Sequence, residues 1–85
     1  MVQVREVVRT EKFEKELRKI RDNLFRERVV KLVEKVADDP LAGKPLRFGL
    51  KGEWTIRLPP YRLIYAVQGE KLILLRLEHR KAVYD

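Results

Sequence analysis

Two arginines in the last third of the chain have the type and spacing to bind an anion. The runs Trp54–Leu58 and Tyr61–Tyr65 alternate aromatic or β-branched residues with other types, which is typical of β-strands, and only Pro59-Pro60 separates them. A short symmetric hairpin places Arg57 opposite Arg62. Like charges directly opposite each other destabilise a strand pair, whereas two converging planar guanidinium groups suit a phosphate. The spacing therefore predicts a phosphate site, with solvated surface arginines as the competing interpretation.

The same register decides which face of the hairpin is apolar. It pairs Trp54 with Tyr65 and Ile56 with Leu63, so these four residues form a core face and the arginines lie on the other. Two prolines cannot adopt the positive φ of the usual two-residue hairpin turn, so we expect a loop wider than Pro59-Pro60. A loop that grows equally on both sides keeps the register, and one that grows on one side only reverses the faces.

The composition describes one small basic domain, spanning residues 1–85. The chain carries 20 Lys and Arg against 13 Asp and Glu, for a formal net charge of +7. This length leaves no room for a second domain or a deep catalytic cleft. The positive excess favours a polyanionic partner such as nucleic acid, ribosomal RNA or an acidic protein. A charged residue content of 39% also fits a thermostable surface.

Cysteine, histidine and hydropathy argue against several classes of protein. The chain has no cysteine, which excludes disulfides, iron–sulfur clusters and thiolate zinc sites. One histidine and no dense cluster of carboxylates make a protein-built metal site improbable, so we predict no metal and no cofactor. No apolar stretch is long enough to span a membrane and no signal peptide is evident, so we expect a cytoplasmic protein without membrane contacts.

The first half of the chain predicts a strand and a helical hairpin. Residues Val2 to Val8 alternate weakly, as a short strand does. Thr10 can cap a first helix and Asp22-Asn23 a second, which should stop at Asp38-Asp39-Pro40. Each helix has an apolar stripe that we assign to the core, comprising Phe13, Leu17 and Ile20 in the first and Phe25, Val29, Leu32, Val33, Val36 and Ala37 in the second.

The second half predicts a basic irregular crossover over residues 41–52 and then an antiparallel meander. Gly69-Glu70 marks a tight turn before Leu72–Leu77, an apolar strand expected inside the sheet. A two-residue turn there places Arg76 on the core face, where an unpaired charge is costly. A three-residue loop places Arg76 opposite Arg62 and widens the basic row, and we favour this second alternative.

The order of these elements and three short stretches resemble a known toxin family. The stretches are Lys44-Pro45-Leu46 with the glycines that follow, Trp54–Tyr65, and His79–Tyr84, which reads His-Arg-Lys-Ala-Val-Tyr. Together they resemble the RelE/ParE toxins of type II toxin–antitoxin systems, the RelE branch in particular, over essentially the whole chain. The resemblance implies a two-layer α+β fold, with an N-terminal strand and a helical hairpin packed on a mostly antiparallel four-stranded sheet.

Toxins of the RelE branch are mRNA interferases, which cleave messenger RNA in the ribosomal A site without a metal. The ribose 2′-hydroxyl attacks the adjacent phosphate and expels the 5′-oxygen of the next nucleotide. This chemistry needs positive donors around the phosphorane, an acid for the leaving oxygen and a group that activates the 2′-hydroxyl. The resemblance thus implies a ribosome-dependent endoribonuclease that contacts mRNA and ribosomal RNA and is held inactive by an acidic antitoxin.

The resemblance also implies roles for individual residues. Arg57 matches a basic residue of the second strand and Arg62 matches the arginine of a Tyr-Arg motif, and both would stabilise phosphate charge. Arg80 matches the basic residue after the last strand, implied to contact the phosphate and to act as the acid. Tyr84 matches a C-terminal tyrosine that stacks on a base or orients the 2′-hydroxyl.

One position departs from the family pattern. Members of this branch often carry a lysine two positions before the residue matched by Arg57, and here that place is Thr55. Lys51 is a candidate to substitute in space. His79 is a candidate general base, because histidine exchanges protons near neutral pH, with a structural hydrogen bond as the alternative. General RNA contacts are predicted at Lys44, Arg47, Lys51, Arg76 and Lys81.

Two other functions stay open at this point. The ParE branch inhibits DNA gyrase by binding and needs no catalytic constellation. The ending of this chain favours the nuclease, because gyrase-directed toxins usually lack the terminal tyrosine. A catalytically degenerate member that binds only an antitoxin or RNA is the third alternative, and it rests on the missing lysine.

Overall fold

The chain folds as two layers, a helical hairpin on one face of a mostly antiparallel sheet. The computed structural model describes residues 3–46 and 52–79. Its elements in chain order are β1 (Glu6–Arg9), α1 (Glu11–Lys19), α2 (Asn23–Asp38), β2 (Lys44–Pro45), β3 (Glu53–Leu58), β4 (Tyr61–Gln68) and β5 (Lys71–His79). The predicted α+β class is confirmed.

The sheet has the strand order β1-β5-β4-β3-β2. β1 pairs in parallel with β5, and the other neighbours are antiparallel. The prediction of four strands is wrong because Lys44–Pro45 pairs with Trp54 and Thr55 as a fifth, short edge strand. Two residues that include a proline show no alternation by which a sequence pattern would reveal a strand.

Both predicted helix caps are confirmed. The Thr10 hydroxyl accepts a hydrogen bond from the backbone N–H of Phe13 at 3.2 Å. The Asp22 carboxylate accepts from the N–H groups of Leu24 and Phe25, at 3.0 and 3.3 Å. These bonds satisfy N–H groups that the first turn of each helix leaves without an intrahelical partner. The predicted stop of α2 is also confirmed, since the helix ends at Asp38.

The predicted apolar stripes form the core against one face of the sheet, here called the helix-covered face. Phe13 and Val29 are almost fully buried, and Leu17 and Leu32 pack against the same cluster. The sheet contributes Leu63, Tyr65, Leu72, Leu74 and Leu77. Within the described residues, neither helix combines the length and apolar character needed to cross a bilayer.

The β3–β4 hairpin has the predicted register. Trp54 pairs with Tyr65, Ile56 with Leu63, and Arg57 with Arg62. Because the first two pairs belong to the core cluster, both arginines lie on the opposite face, here called the open face. The expectation of a wider loop is wrong, since Leu58 already pairs with Tyr61. The Pro59-Pro60 bond is cis, the arrangement that type VI turns contain at this position.

A β-bulge at Leu75 corrects the prediction for Arg76. The turn at Gly69-Glu70 has two residues, with Gln68 paired to Lys71, so the favoured three-residue loop is wrong. Tyr65 then pairs with Leu74 but Ile64 pairs with Arg76, which leaves Leu75 as an extra residue in β5. The extra residue moves Arg76 from the helix-covered face to the open face. There Arg76 lies opposite Ile64, and Glu78 is the residue that lies opposite Arg62.

Thr10 connects the start of α1 to this bulge. Its hydroxyl lies 2.7 Å from the carbonyl oxygen of Leu74 and 2.9 Å from that of Leu75, and its N–H donates to Leu74 at 3.2 Å. One side chain therefore accepts a bond that begins the helix and donates to the carbonyls where the ladder between β4 and β5 changes register. We infer that Thr10 stabilises both features together.

Replacing Thr10 with Ala should lower the free energy of unfolding by about 1–2 kcal/mol, since a helix cap and a bond to a strand carbonyl are both lost. Thr10→Ser keeps the hydroxyl and should stay much closer to wild type. Urea denaturation of both variants measures the difference. Equal stability of the alanine and serine variants would show that the hydroxyl does not stabilise this junction.

Candidate anion-binding site on the open face

Three cationic side chains line one concave pocket on the open face. The pocket has a volume of about 410 Å³. Its cations are Lys44 of β2, Arg57 of β3 and Arg62 of β4. The rest of the lining comes from Ala42, Gly43, Thr55 and Ile56, and we call the whole the cationic pocket.

Strand pairing places these three cations together. Arg57 and Arg62 are direct cross-strand partners, so their β-carbons lie about 4.5–5.5 Å apart. Lys44 lies opposite Thr55. Thr55 precedes Arg57 by two residues on β3, so Lys44, Thr55 and Arg57 lie on the same face of the sheet. Among the described residues none of the three forms an ion pair, so their positive charges repel one another until an anion is bound.

Thr55 adds a hydroxyl between the cations. Its Oγ1 is buried and has no hydrogen-bond partner in the described part of the chain. The residue that faces Thr55 is Lys44, so a lysine on the neighbouring strand supplies a positive charge where the family pattern leads us to expect one at position 55. Lys51, the predicted substitute, lies outside the described residues.

Gly43 and Tyr65 hold the segment that carries Lys44. The buried Tyr65 hydroxyl accepts from the Gly43 N–H at 3.0 Å and donates to the Pro40 carbonyl at 3.0 Å. A β-carbon at Gly43 would lie 2.5 Å from the Thr55 carbonyl oxygen and 2.6 Å from the Tyr65 hydroxyl. The close approach of β2 to β3 therefore requires glycine here.

The Tyr65 phenol stays protonated and able to donate. Burial raises the pKa of Tyr65 above its ordinary value, and the negative charge of Asp39 acts in the same direction, while the bond from the Gly43 N–H opposes both. The protonated phenol is the form that the bond to the Pro40 carbonyl requires. This anchor therefore persists at neutral pH.

Arg76 lies on the open face but is held by two carboxylates. Its Nη2 is 2.9 Å from Glu53 Oε1, and its Nε is 2.6 Å from Glu78 Oε1. We call these three residues the carboxylate clamp. Burial alone would lower the pKa of Arg76, but the hydrogen bonds to Glu53 and Glu78 outweigh it and raise that pKa. The role of Arg76 as a general RNA contact stays a prediction, and in this structure two carboxylates bind its guanidinium.

His79 lies away from the cationic pocket. It pairs with Tyr61 and makes an edge-on contact with the Tyr61 ring, whose centroid is 4.9 Å from its own. Tyr61 in turn packs on Phe25 of α2. The bulge at Leu75 puts His79 on the helix-covered face, and its role as general base stays a prediction. Arg47, Lys51, Arg80, Lys81 and Tyr84 lie outside the described residues, so their predicted roles stay predictions.

Sequence reasoning missed two parts of the site. Glu53 and Glu78 received no role, and the part played by Gly43 was not recognised. The hairpin register puts Glu53 on the open face, which was a usable signal. Glu78 and Gly43 gave none, because a bulge and a close backbone contact leave no periodic pattern. The described residues contain no group of three or more His, Cys, Asp or Glu that could hold a metal ion.

Comparison with known proteins shows that this small basic α+β chain is a member of a toxin family. The family described as ParE toxin of type II toxin-antitoxin system, parDE, matches residues 7–84. This chain therefore belongs to the RelE/ParE superfamily, as a toxin of a type II toxin–antitoxin system. Toxin RelG of Mycobacterium tuberculosis is 41% identical over 49 residues, which are 54% of this chain and 56% of that toxin. The alignment thus spans little more than half of RelG.

Solved structures similar to this chain include RelE toxins. The toxin–antitoxin complex RelBE2 from Mycobacterium tuberculosis contains a chain that is 30% identical, with a TM-score of 0.79 and 94% of each chain covered. A mutant of the E. coli toxin RelE in the free state is 27% identical, with a TM-score of 0.74 and coverage of 99% of this chain and 90% of that one. Both similarities support the two-layer fold and the RelE branch.

Replacing Gly43 with Ala should disrupt the β2–β3 contact. The added methyl group meets a backbone oxygen, so we expect a loss of about 1–3 kcal/mol in unfolding free energy, as for other overpacked sites. The same displacement should weaken binding of short single-stranded RNA as much as Lys44→Ala does. Lys44→Ala is the matched control, because removal of an exposed side chain should change stability by less than about 0.5 kcal/mol. Wild-type stability and RNA affinity in Gly43→Ala would contradict the proposed role of Gly43.

Proposed function

We propose that this protein is a ribosome-dependent mRNA endoribonuclease, an mRNA interferase that arrests translation. The observation that carries the proposal is the convergence of Lys44, Arg57 and Arg62 on one pocket whose lining, as far as the structure describes the chain, includes no carboxylate. Such a pocket suits a phosphate of the RNA backbone, and it suits still better the extra negative charge of a pentavalent phosphorane.

In the proposed reaction the ribose 2′-oxygen attacks the adjacent phosphorus as its proton leaves. The bond from phosphorus to the 5′-oxygen of the next nucleotide breaks, and that oxygen takes up a proton. The products are a 2′,3′-cyclic phosphate and a free 5′-hydroxyl, so no water is consumed, and the family resemblance implies that no metal takes part. Arg57 and Arg62 bind the non-bridging oxygens, and Lys44 completes the set of cationic donors.

In the proposed reaction the ribosome, rather than this protein, aligns the 2′-hydroxyl. Among residues 3–46 and 52–79, neither a histidine nor a carboxylate lines the cationic pocket, and His79 faces the helices. Orientation of the reacting groups can be worth several kcal/mol of a barrier, and a decoding site that holds the message in a bent conformation supplies it. Arg80 and Tyr84, which follow β5 in the sequence, are proposed as the acid and the base-stacking residue on the strength of the family resemblance.

The proposed macromolecular partners follow from charge and family. Messenger RNA in the A site and ribosomal RNA are polyanions, and a protein with a net charge of +7 attracts them. An acidic antitoxin is the proposed inhibitor, because the RelBE2 relative was solved as a toxin–antitoxin complex. The protein is proposed to act in the cytoplasm.

Inhibition of DNA gyrase is the second candidate function. The observation in its favour is that the matching family description names ParE toxins. A gyrase inhibitor acts through a binding surface and does not need three cations around one pocket. The cationic pocket therefore makes the nuclease the leading proposal.

Replacing Arg57 or Arg62 with Ala should lower the cleavage rate by about 10²–10³, because each guanidinium acts chiefly on charge that develops in the transition state. Replacement with Lys should recover only part of the rate, since an ammonium lacks the planar fork. Toxicity on induction and single-turnover cleavage on programmed ribosomes measure both effects. We expect Arg80→Ala to behave in the same way.

Arg26→Ala is the matched control for these variants. Arg26 is an exposed arginine of α2, on the layer opposite the open face, so its removal changes the net charge equally without touching the pocket. It should leave cleavage close to wild type. Equal losses of cleavage rate in Arg26→Ala and Arg62→Ala would show that the arginines act only through the net charge of the protein and not through the cationic pocket.

Cleavage should depend on the ribosome. Free RNA should bind in a salt-sensitive manner and remain essentially intact, whereas message on ribosomes with an empty A site should be cut to a 2′,3′-cyclic phosphate. Tyr84→Ala should lower that cleavage sharply because base stacking is lost. Primer extension and end-group analysis provide the measurement.

Three other outcomes would redirect the proposal. Efficient cutting of naked RNA by the pure protein would show that alignment by the ribosome is unnecessary. Inhibition of gyrase supercoiling without RNA cleavage in either setting would establish the second candidate. Antitoxin or RNA binding without either activity would identify a degenerate toxin.

A further inference from the structure

We propose that Arg76 is a positioning residue that keeps Glu78 away from Arg62 and so preserves the cationic pocket. This inference rests on the proposed function of the pocket as a phosphate site. Arg76 does not line the pocket, and in this proposal it never contacts RNA. Its effect on RNA passes entirely through the carboxylate of Glu78.

The strand register creates a conflict on the open face. Arg62 has two direct cross-strand neighbours, Arg57 on β3 and Glu78 on β5. Opposite charges directly across a strand pair attract each other, so Glu78 is placed to neutralise Arg62. An Arg62 that is paired with Glu78 would offer the pocket a weakened charge and a guanidinium turned toward β5.

The carboxylate clamp resolves this conflict. Glu78 Oε1 lies 2.6 Å from Arg76 Nε, and no ion pair joins Glu78 to Arg62 in the described part of the chain. Residues 76 and 78 lie on the same face of β5 because they follow the bulge with a spacing of two. Arg76 therefore competes with Arg62 for the same carboxylate, and in this structure Arg76 holds it.

Glu53 fixes Arg76 in the position that this competition requires. The Glu53 side chain is only 10% exposed, and it binds the far end of the guanidinium at 2.9 Å. A buried carboxylate without a cation is costly, so Glu53 holds Arg76 over the sheet between β3 and β5. The guanidinium uses Nη2 for Glu53 and Nε for Glu78, a two-sided contact that a lysine ammonium cannot reproduce.

The experiment measures binding of a short single-stranded RNA in which every ribose is 2′-O-methylated, so that it cannot be cleaved. Affinity is determined by fluorescence anisotropy over a range of salt concentrations, without ribosomes. Arg76→Ala should weaken binding about as much as Arg62→Ala does. It should also reduce the slope of log affinity against log salt concentration by the amount that corresponds to about one phosphate contact. Adding Arg76→Ala to Arg62→Ala should bring little further loss.

Two double variants of equal net charge separate this mechanism from general electrostatics. Arg76→Ala with Glu78→Gln should restore binding, because the competing carboxylate is gone. Arg76→Ala with Glu53→Gln should not, because Glu53 lies opposite Ala66 rather than Arg62. Glu53→Gln in the second variant also removes the buried carboxylate charge that Arg76→Ala leaves without a cation. This double variant therefore serves as the control for folding. Glu78→Gln alone should bind RNA almost as wild type does.

Failure to restore binding in the Arg76/Glu78 double variant would overturn the inference and make Arg76 a direct RNA contact. Equal recovery of RNA binding in both double variants would also overturn it, because net charge alone would then explain the loss in Arg76→Ala. Wild-type binding in Arg76→Ala, together with weak binding in Arg62→Ala, would show that Arg76 has no positioning role. The cationic pocket would remain a phosphate site. Wild-type binding in Arg62→Ala would remove the site itself.

Discussion

The extra residue at Leu75 is the constraint on which the two faces of the sheet depend. Side chains along a strand alternate, so one inserted residue reverses the faces of everything that follows it. Beyond the bulge, Leu77 enters the core while Arg76 and Glu78 reach the open face. Without it, both charged residues would lie beneath the helices and Leu77 would face solvent. Thr10, at the start of α1, holds the carbonyls at this point, so helix and strand specify the same register.

The open face carries two groups of charged side chains, and Glu53 of β3 belongs with Arg76 and Glu78 of β5. The β2–β3–β4 side gathers cations with no counterion among the described residues, and the β5 side carries an arginine bound by two carboxylates. The first arrangement is unfavourable alone and becomes favourable when an anion arrives. The second is already satisfied and acts as a structural tie across three strands. A basic composition alone would not distinguish these two kinds of arginine.

Alternation and capping residues were sufficient to predict most of the fold. The β3–β4 register, both helix caps and the core stripes follow from spacing, and with them the facing of Arg57 and Arg62. The position of Arg76 did not follow, because a bulge adds a residue without leaving a pattern. The same shift placed His79 on the helix-covered face. Lys44 was predicted only as a general contact, since the short strand that sets it opposite Thr55 depends on a backbone approach at Gly43.

The pairing of β1 with β5 has a consequence for how the protein is made. Thr10 bonds to Leu75 at a sequence separation of 65 residues, so the first strand finds its partner only when nearly the whole described chain exists. Contacts of such long sequence separation form late and slowly. During synthesis the helical hairpin can form early, while the strand that carries Arg76 and Glu78 joins last. The face that carries Arg76 and Glu78 therefore depends on contacts between segments that lie far apart in the sequence.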